Sequence, residues 1–336
     1  MNFAPLIEQL RRHEDLSSDQ AAEVMGAIMD GDALPSQIAA VLMGLALKGE
    51  RPSELVGFAR AMRARAVKLG AAFAGVFDTC GTGGDGAHTF NVSTAAALVI
   101  AGAGVPVAKH GNRAVSSRCG SADVFEALGV RLDAAPDVVE KALGAGCAFF
   151  FAPIWHPSMR HAGPTRRELG VRTAFNLLGP LTNPAGARRQ IVGVSRPEHT
   201  ALLARALGAL GAERAWVVHG AGGLDELSTL GHTKVSELKD GTVNTFYIHP
   251  FDVSLSQASV ADLAGGTAAE NAALVERLLD GERGPRRDIV LLNAAAGLLI
   301  AGQASSLQDG VARAAASLDS GAARRVLEEL RRITTS

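Results

Sequence analysis

Between Asp78 and Thr94 the chain reads DTCGTGGDGAHTFNVST, a concentration of glycines, hydroxyls and an acid in one short stretch. Its first glycines match G-x-G-x-x-G, which marks a dinucleotide site when the glycines open a helix at once and an acid ends the next strand. Neither condition holds. Residues Ala87 to Val92 separate the glycines from a helix expected to begin at Ser93-Thr94-Ala95, and the next apolar run, Val105 to Ala108, ends in Lys109-His110. The Gly-Lys-Ser/Thr ending of a Walker A loop is missing too. What remains is a phosphate cradle, since glycines let backbone N–H groups approach an anion and a helix N-terminus adds its positive dipole end. A second stretch, KHGNRAVSSRCGSAD, repeats the device, running through glycines and hydroxyls into a helix near Ser121 and adding Lys109, Arg113 and Arg118. Either loop alone could be an ordinary glycine-rich turn; two in succession point to a ligand with two anionic groups.

A highly charged phosphate ligand usually brings Mg²⁺, which takes a few carboxylate oxygens and several waters. Asp225 and Glu226 lie in GGLDELSTLG, after the apolar run Ala215 to Val218. Neighbouring side chains of extended backbone point opposite ways, so the pair could serve two separate ions. A polar turn in water is the alternative for this loop.

These groups need a scaffold, and the chain supplies one. At 336 residues, with 47% apolar and 20% charged residues, it is long enough for a large domain with a smaller one beside it. A formal charge of −1 and 4% aromatics give neither the basic field nor the stacking platform of a nucleic-acid binder. Cys80, Cys119 and Cys147 are scattered, which suits core or loop thiols in a reducing compartment. The start MNFAPLIEQLRRHED lacks a secretory h-region, and the run Ala95 to Ala108 is too short to cross a bilayer, so a soluble cytoplasmic protein with no membrane partner is expected.

Residues 1–70 read as all helical, with a capping box at Ser17 to Gln20, a helix from Pro35 to Gly49 and another from Pro52. Beyond Ala71, short apolar runs (Gly75 to Phe77, Val105 to Ala108, Ala148 to Phe151, Gln190 to Val194, Ala215 to Val218) alternate with helical patterns such as Ser121 to Leu128 and Pro136 to Leu143. The fold class that follows is α/β: a small all-helical N-terminal domain, and a large domain whose mostly parallel central sheet is flanked by helices. The helical domain spans 1–70, completed by helices within about 160–185, and the α/β domain spans 71–336. In such sheets ligands bind beyond the carboxyl ends of the strands. His156-Pro157 and Phe149 to Phe151 are expected at a buried strand end and turn with Trp155 lining an aromatic pocket, FNLLGPLTNPA in a turn between domains, and His13 and His249 at the surface.

Taken together, DTCGTGGDG, FNVSTA, KHGNRAVSSRCGSADVFEALG, HPSMRHAGPTRRELGVRTAFNLLGPLTNPA and LDELSTLG resemble the anthranilate phosphoribosyltransferases. The likeness continues to GPRRDIVLLNAAAGLLIAG and SLDSGAA, so it covers essentially the whole chain. It implies a homodimer that transfers phosphoribosyl from phosphoribosyl pyrophosphate to anthranilate in tryptophan biosynthesis, with Mg²⁺, two ions being expected. Position by position, it implies that Gly81, Gly84, Asp85, Thr89, Asn91, Val92, Ser93 and Thr94 cradle phosphoribosyl pyrophosphate. The second loop, Lys109, His110, Gly111, Asn112, Arg113, Ala114, Val115, Ser116 and Ser117, together with Ser121, would hold the same ligand. Ser93, Asp225 and Glu226 match metal contacts; Gly81, Asn112 and Arg166 match anthranilate contacts, with Arg167 adjacent and left open as the carboxylate partner; Lys109, Asn112 and Arg166 stand as catalytic residues. Trp155 departs from relatives that carry His or Tyr there, which touches the rim of the anthranilate channel.

The chemistry implied needs little proton abstraction. Loss of pyrophosphate from the anomeric carbon puts negative charge on the leaving group, where metal, Lys109 and helix N-termini would stabilise it. The aromatic amine is weakly basic, so positioning carries the reaction, and His110 is expected as a donor or wall because no acid in the motif orients it as a base. Two rivals stay open: a pyrimidine nucleoside phosphorylase-like enzyme, which would not need Asp225 and Glu226, and a non-enzymatic nucleic-acid-binding relative, which would show a basic stripe.

Overall fold

The computed structural model describes residues 1–114 and 118–336. Val115, Ser116 and Ser117, assigned above to the second phosphate loop, lie outside the described residues.

Four helices open the chain: α1 (Ala4–Arg11), α2 (Ser18–Asp30), α3 (Pro35–Lys48) and α4 (Pro52–Arg65). Their starts follow from local chemistry. Ser17 Oγ accepts the Gln20 N–H and Gln20 Oε1 accepts the Ser17 N–H, while Pro35 and Pro52 fill first-turn positions that have no use for an N–H. Fully buried Glu54 ties three pieces together: it accepts the Leu16 N–H at 2.9 Å and the Arg51 N–H at 2.8 Å, and it pairs with the buried Lys48 ammonium at 3.1 Å.

The rest of the chain winds strands and helices alternately. In order come β1 (Phe77–Gly81), α5 (Val92–Gly102), β2 (Val107–Gly111), α6 (Ser121–Ala127), α7 (Pro136–Gly144), β3 (Cys147–Phe151) and the single turn α8 (Ala152–Trp155). Next are α9 (Gly163–Leu169), α10 (Phe175–Leu178), β4 (Arg189–Gly193), α11 (His199–Ala209), β5 (Arg214–Gly220), β6 (Thr233–Lys239) and β7 (Thr242–Ile248). Four helices, α12 (Ala268–Leu279), α13 (Pro285–Ile300), α14 (Leu307–Asp319) and α15 (Ala322–Thr335), close the chain. The seven-stranded sheet has the order β3-β2-β1-β4-β5-β6-β7; strands β1 to β5 run parallel and β6 and β7 turn back as an antiparallel edge. The mostly parallel sheet with flanking helices is the expected class.

Strand alternation splits the apolar side chains between two cores. On β5, Trp216 and Val218 join α5, α13, α14 and α15, whereas Ala215 and Val217 join α11 and the N-terminal helices. Ala162, Ala174, Phe175, Leu177, Leu178 and Leu181 lie in that second core too, so the segment from α9 to α10 packs with α1 to α4 despite its distance in sequence.

Two strands run further than their apolar runs suggest. β1 extends through Asp78, Thr79 and Cys80 to Gly81, and β2 takes in Lys109 and His110, all buried apart from the half-buried Gly81. Lys109 and His110 are therefore strand residues, not the start of a loop. Ladder bonds satisfy the backbone there, and the side chains find buried partners, which a hydropathy pattern cannot register. Trp155 is likewise a core residue, stacked on Phe150 at 4.7 Å between centroids, so it does not form a channel rim. His13 is exposed, but His249 is only half-buried and packs on His232 and Phe251, with centroids 4.8 and 4.6 Å away.

Replacing Glu54 by Ala leaves the Lys48 ammonium without its buried partner and two N–H groups without an acceptor. Unfolding in urea should show a loss of about 3–5 kcal/mol; a loss under about 1 kcal/mol would mean that Asp15, 2.8 Å from Lys48, suffices as its partner.

Candidate active site

The strand order reverses between β1 and β4, and the loops leaving the carboxyl ends of the parallel strands converge there. Gly81 and Gly193 face each other at those ends, and the loop after β5 lays Asp225 across both. A Cβ on Gly193 would stand 1.5 Å from the Asp225 carbonyl oxygen, and one on Gly81 would stand 2.4 Å from Asp225 Oδ2. Only glycine permits this approach. Residues 82–91 then separate β1 from α5, much longer than a turn in which glycines open the helix directly. Gly83, Gly84 and Gly86 hold φ of 66°, 69° and 71°, and a Cβ on Gly83 would meet open space. What demands glycine at 83 is thus the left-handed backbone rather than lack of room.

The two acids reach different parts of the first loop. Asp225 Oδ2 accepts the Gly83 N–H at 2.8 Å, and Glu226 Oε1 accepts the Ser93 N–H at 3.1 Å in the first turn of α5. Burial pushes both carboxyls above the ordinary range, Asp225 further by the nearby Asp85 and Glu226 by Asp225. Beneath them Lys109, 1% exposed, donates to Thr79 O, and at 3.2 Å to both Thr79 Oγ1 and Ser93 Oγ, while Thr79 Oγ1 donates to Ser93 O at 3.0 Å. Asp78, on the opposite side of β1, accepts the His110 N–H at 3.1 Å and Asn183 Nδ2 at 2.7 Å; burial raises it to about 6 against those bonds and the pull of Lys109.

The donor set fits a hard divalent cation. Asp225 and Glu226 sit side by side with Asp85 near both, the Ser93 hydroxyl and the Lys109 ammonium lie beside them, and burial followed by mutual repulsion raises the Asp225 and Glu226 carboxyls, a cost that a bound cation would relieve. Among the described residues no three His, Cys, Asp or Glu side chains form a cage. Magnesium suits such an incomplete set, because it commonly takes one or two carboxylates and completes its shell with substrate oxygens and water.

In the second loop Asp123 accepts the Ala114 N–H at 3.0 Å and the Gly120 N–H at 2.9 Å, so both residues are tied to the first turn of α6. Gly111 packs against the Ser121 side chain. The Arg113 guanidinium is spent on Asp123 and Glu126 at 2.7 to 3.0 Å, so only its backbone is available to a ligand. Asn112 is exposed, its Oδ1 accepting the Arg113 N–H. Asn91 joins the two loops: Nδ2 lies 3.4 Å from Cys119 O and Oδ1 accepts Asn271 Nδ2 at 2.8 Å. Val92 and Thr94 are buried in the first turn of α5, and the Thr94 hydroxyl has no partner among the described residues. Thr89 forms a short bridge to Ala264.

Arg166 is half-buried, its guanidinium 4.8 Å over the Phe175 ring, whereas Arg167 is exposed. Buried His110 points Nδ1 at Gly179 O, 3.0 Å away; since a carbonyl only accepts, Nδ1 carries the proton and Nε2 is bare. Burial and the neighbouring His156 push His110 down to about 3, so it is neutral near pH 7 and is a wall with one donor rather than a base.

Several contributors escaped the sequence reading, among them Gly193, Asn271 and Asn183. Gly193 had a signal, an isolated glycine at the end of the apolar run QIVG, and Asn271 had one in being polar on the apolar stripe of α12. Asn183, which also donates to Ala108 O at 2.7 Å, had none.

Two family models match this architecture: residues 4–66 fit the helical bundle domain of a glycosyl transferase family, and 74–324 fit its α/β domain. Fold and site together define a glycosyl transferase of this two-part kind. An anthranilate phosphoribosyltransferase of Moorella thermoacetica is 56% identical over 94% of both chains. The crystal structure of the enzyme of that name from Thermus thermophilus superposes with a TM-score of 0.93 at 48% identity, over 98% of this chain and 99% of that one. The Saccharomyces cerevisiae enzyme, solved in complex with PRPP and Mg, gives 0.89 at 27% identity over 99% and 98%. The chain belongs to the anthranilate phosphoribosyltransferase family.

The two buried histidines make a pH test. Burial holds His110 at about 3 and His156 at about 4, below the ordinary 6.5, so the unfolded chain binds more protons between those values and stability falls as pH drops below 6.5. Each should cost about 2 kcal/mol by pH 5. Urea unfolding should show the loss in the parent and roughly half of it in His156→Gln; equal losses in both would mean that His156 charges without penalty.

Proposed function

We infer that the protein transfers the phosphoribosyl group of phosphoribosyl pyrophosphate to the amine of anthranilate, releasing pyrophosphate. The observation that carries this reading is the carboxylate pair of Asp225 and Glu226 laid across the glycine loop and the start of α5, beside buried Lys109. A phosphorolytic enzyme, bringing only inorganic phosphate, has no need of that pair.

In this reading the amine nitrogen bonds to the anomeric carbon as the bond from that carbon to the pyrophosphate oxygen breaks, and the amine proton leaves to solvent. Gly81, Gly84, Asp85, Thr89, Asn91, Val92, Ser93 and Thr94 would form one wall for the sugar pyrophosphate and Lys109 to Ala114 with Ser121 the other, Val115, Ser116 and Ser117 being assigned to the same ligand. Magnesium, when bound, supplies neutralising charge at the departing pyrophosphate; Ser93, Asp225 and Glu226 would hold it, and the separate reach of the two acids supports two ions. Lys109, already fixed by Thr79 and Ser93, needs no reorganisation to meet the leaving group's charge. Gly81, Asn112 and Arg166 receive anthranilate. Half-buried Arg166 makes no ion pair among the described residues, which leaves its fork for a carboxylate and favours it over exposed Arg167. His110 keeps its proton on Nδ1 and excludes water.

The same reading includes a helical domain of residues 1–70 completed within about 160–185, an α/β domain of 71–336, a cytoplasmic location and a homodimer. Exposed Leu34, Leu47 and Val171, on or beside the packed helices α3 and α9, support a second copy docking on the helical part.

Anthranilate consumption should require both phosphoribosyl pyrophosphate and Mg²⁺; consumption of a pyrimidine nucleoside with phosphate instead would overturn the reading. Asp225→Asn combined with Glu226→Gln keeps shape but removes two hard anions, so turnover should fall at least about a hundredfold. Mg²⁺ with pyrophosphate should raise the melting temperature of the parent and leave that variant's unchanged. Arg166→Ala should raise KM for anthranilate about ten- to a hundredfold and KM for phosphoribosyl pyrophosphate little, whereas an anthranilate effect confined to Arg167→Ala would reassign the carboxylate contact.

A further inference from the structure

Six residues beyond Arg166, another arginine of the same segment takes a different direction. α9 ends at Gly170, whose left-handed φ of 62° turns the chain back, and Arg172 follows it. Its Nη1 donates to the Gly83 carbonyl oxygen at 2.7 Å, linking the Arg166 segment to the glycine loop. Its Nη2 is buried and, among the described residues, without an acceptor. Burial, helped by Arg196, pushes its pKa below the ordinary arginine value against the pull of Asp225 and Asp85, so the guanidinium belongs to the electrostatics of the site.

The contact has a geometric consequence. The Gly83 N–H is held by Asp225 Oδ2 at 2.8 Å, so the residue is gripped on both sides, by a carboxylate at its nitrogen and a guanidinium at its carbonyl. In a trans peptide the C=O of one residue and the N–H of the next point in opposite directions. Drawing the Gly83 carbonyl toward Arg172 therefore turns the Gly84 N–H to the other side of the loop, where it has no acceptor among the described residues. A left-handed glycine has a shallow preference between backbone orientations, so an external bond is what fixes this one.

We propose that Arg172 is a positioning residue for the sugar pyrophosphate: through the Gly83 carbonyl it aims the Gly84 N–H at the ligand, and its spare Nη2 is a second donor for the same anion. This rests on the reading that the glycine loop cradles phosphoribosyl pyrophosphate. Two arginines of one short segment then serve different substrates, Arg166 the aromatic acid and Arg172 the activated sugar.

The test uses the full-length parent, Arg172→Gln and Arg172→Lys, with steady-state kinetics for each substrate, calorimetric titration with phosphoribosyl pyrophosphate plus Mg²⁺, and melting temperatures. Arg172→Gln should raise KM and Kd for phosphoribosyl pyrophosphate at least about tenfold, with KM for anthranilate and kcat within about threefold of the parent. Arg172→Lys keeps one donor for Gly83 O but loses the fork, so it should fall between the two. An equal rise in both KM values, a fall in kcat alone, or a phosphoribosyl pyrophosphate affinity within about twofold of the parent would overturn the proposal. Should Arg172→Gln not fold, Arg172→Lys decides by the same selectivity: a rise confined to the sugar substrate supports it, and an equal or absent rise refutes it. A parent that binds phosphoribosyl pyrophosphate without consuming anthranilate would refute the transfer reading alone, and the calorimetric comparison would still judge Arg172.

Discussion

A buried ammonium organises this protein. Lys109 lies inside β2, out of water, and such a charge is tolerated only where several oxygens meet it. Thr79 supplies two from β1 and Ser93 one from α5, so the lysine pins the first strand, the second strand and the first helix of the crevice to one point. Of the two acids of the β5 loop, Glu226 answers the same charge, and the pair bonds to the glycine loop and to α5. The glycine-loop backbone, the two carboxylates and the buried ammonium thus share one hydrogen-bonded network, and displacement of any member moves the others.

Around this point the sheet is built to let backbones come close. Gly81 and Gly193 end adjacent strands without side chains, and the space is filled by Asp225 rather than by an apolar residue. Asp78 and Asn183 lock the other side of β1, tying the LTNP segment to the sheet beneath the crevice. The helical part meets the sheet through α11 and through the α9 to α10 segment, which shares its core with α1 to α4. That segment carries Arg166 and Arg172, so a motion of the helical part relative to the sheet would move both guanidiniums relative to the glycine loop.

Much of this was legible in order along the chain. The capping box at Ser17, the prolines opening α3 and α4, and the change from helical to alternating texture after Ala71 follow from local propensity and periodicity, which survive without tertiary context. The glycine loops and the Asp225-Glu226 pair were readable because their composition departs from what a core or a plain turn needs. The strand limits were not: Asp78, Thr79, Lys109 and His110 look like loop residues until their partners, 14 to 105 residues away in sequence, are brought beside them.

The sequence by itself determined the fold class, the family and the residue types of the site, because repeated motifs with fixed glycines, hydroxyls and acids are written in consecutive letters. Tertiary structure alone decided which of those side chains face one another. Arg113 carries the same charge as Arg172, yet one is spent on surface carboxylates and the other grips the glycine loop. Trp155 is a core residue and His110 is neutral for the same reason: protonation and exposure depend on desolvation by atoms distant in sequence, a quantity no local pattern contains.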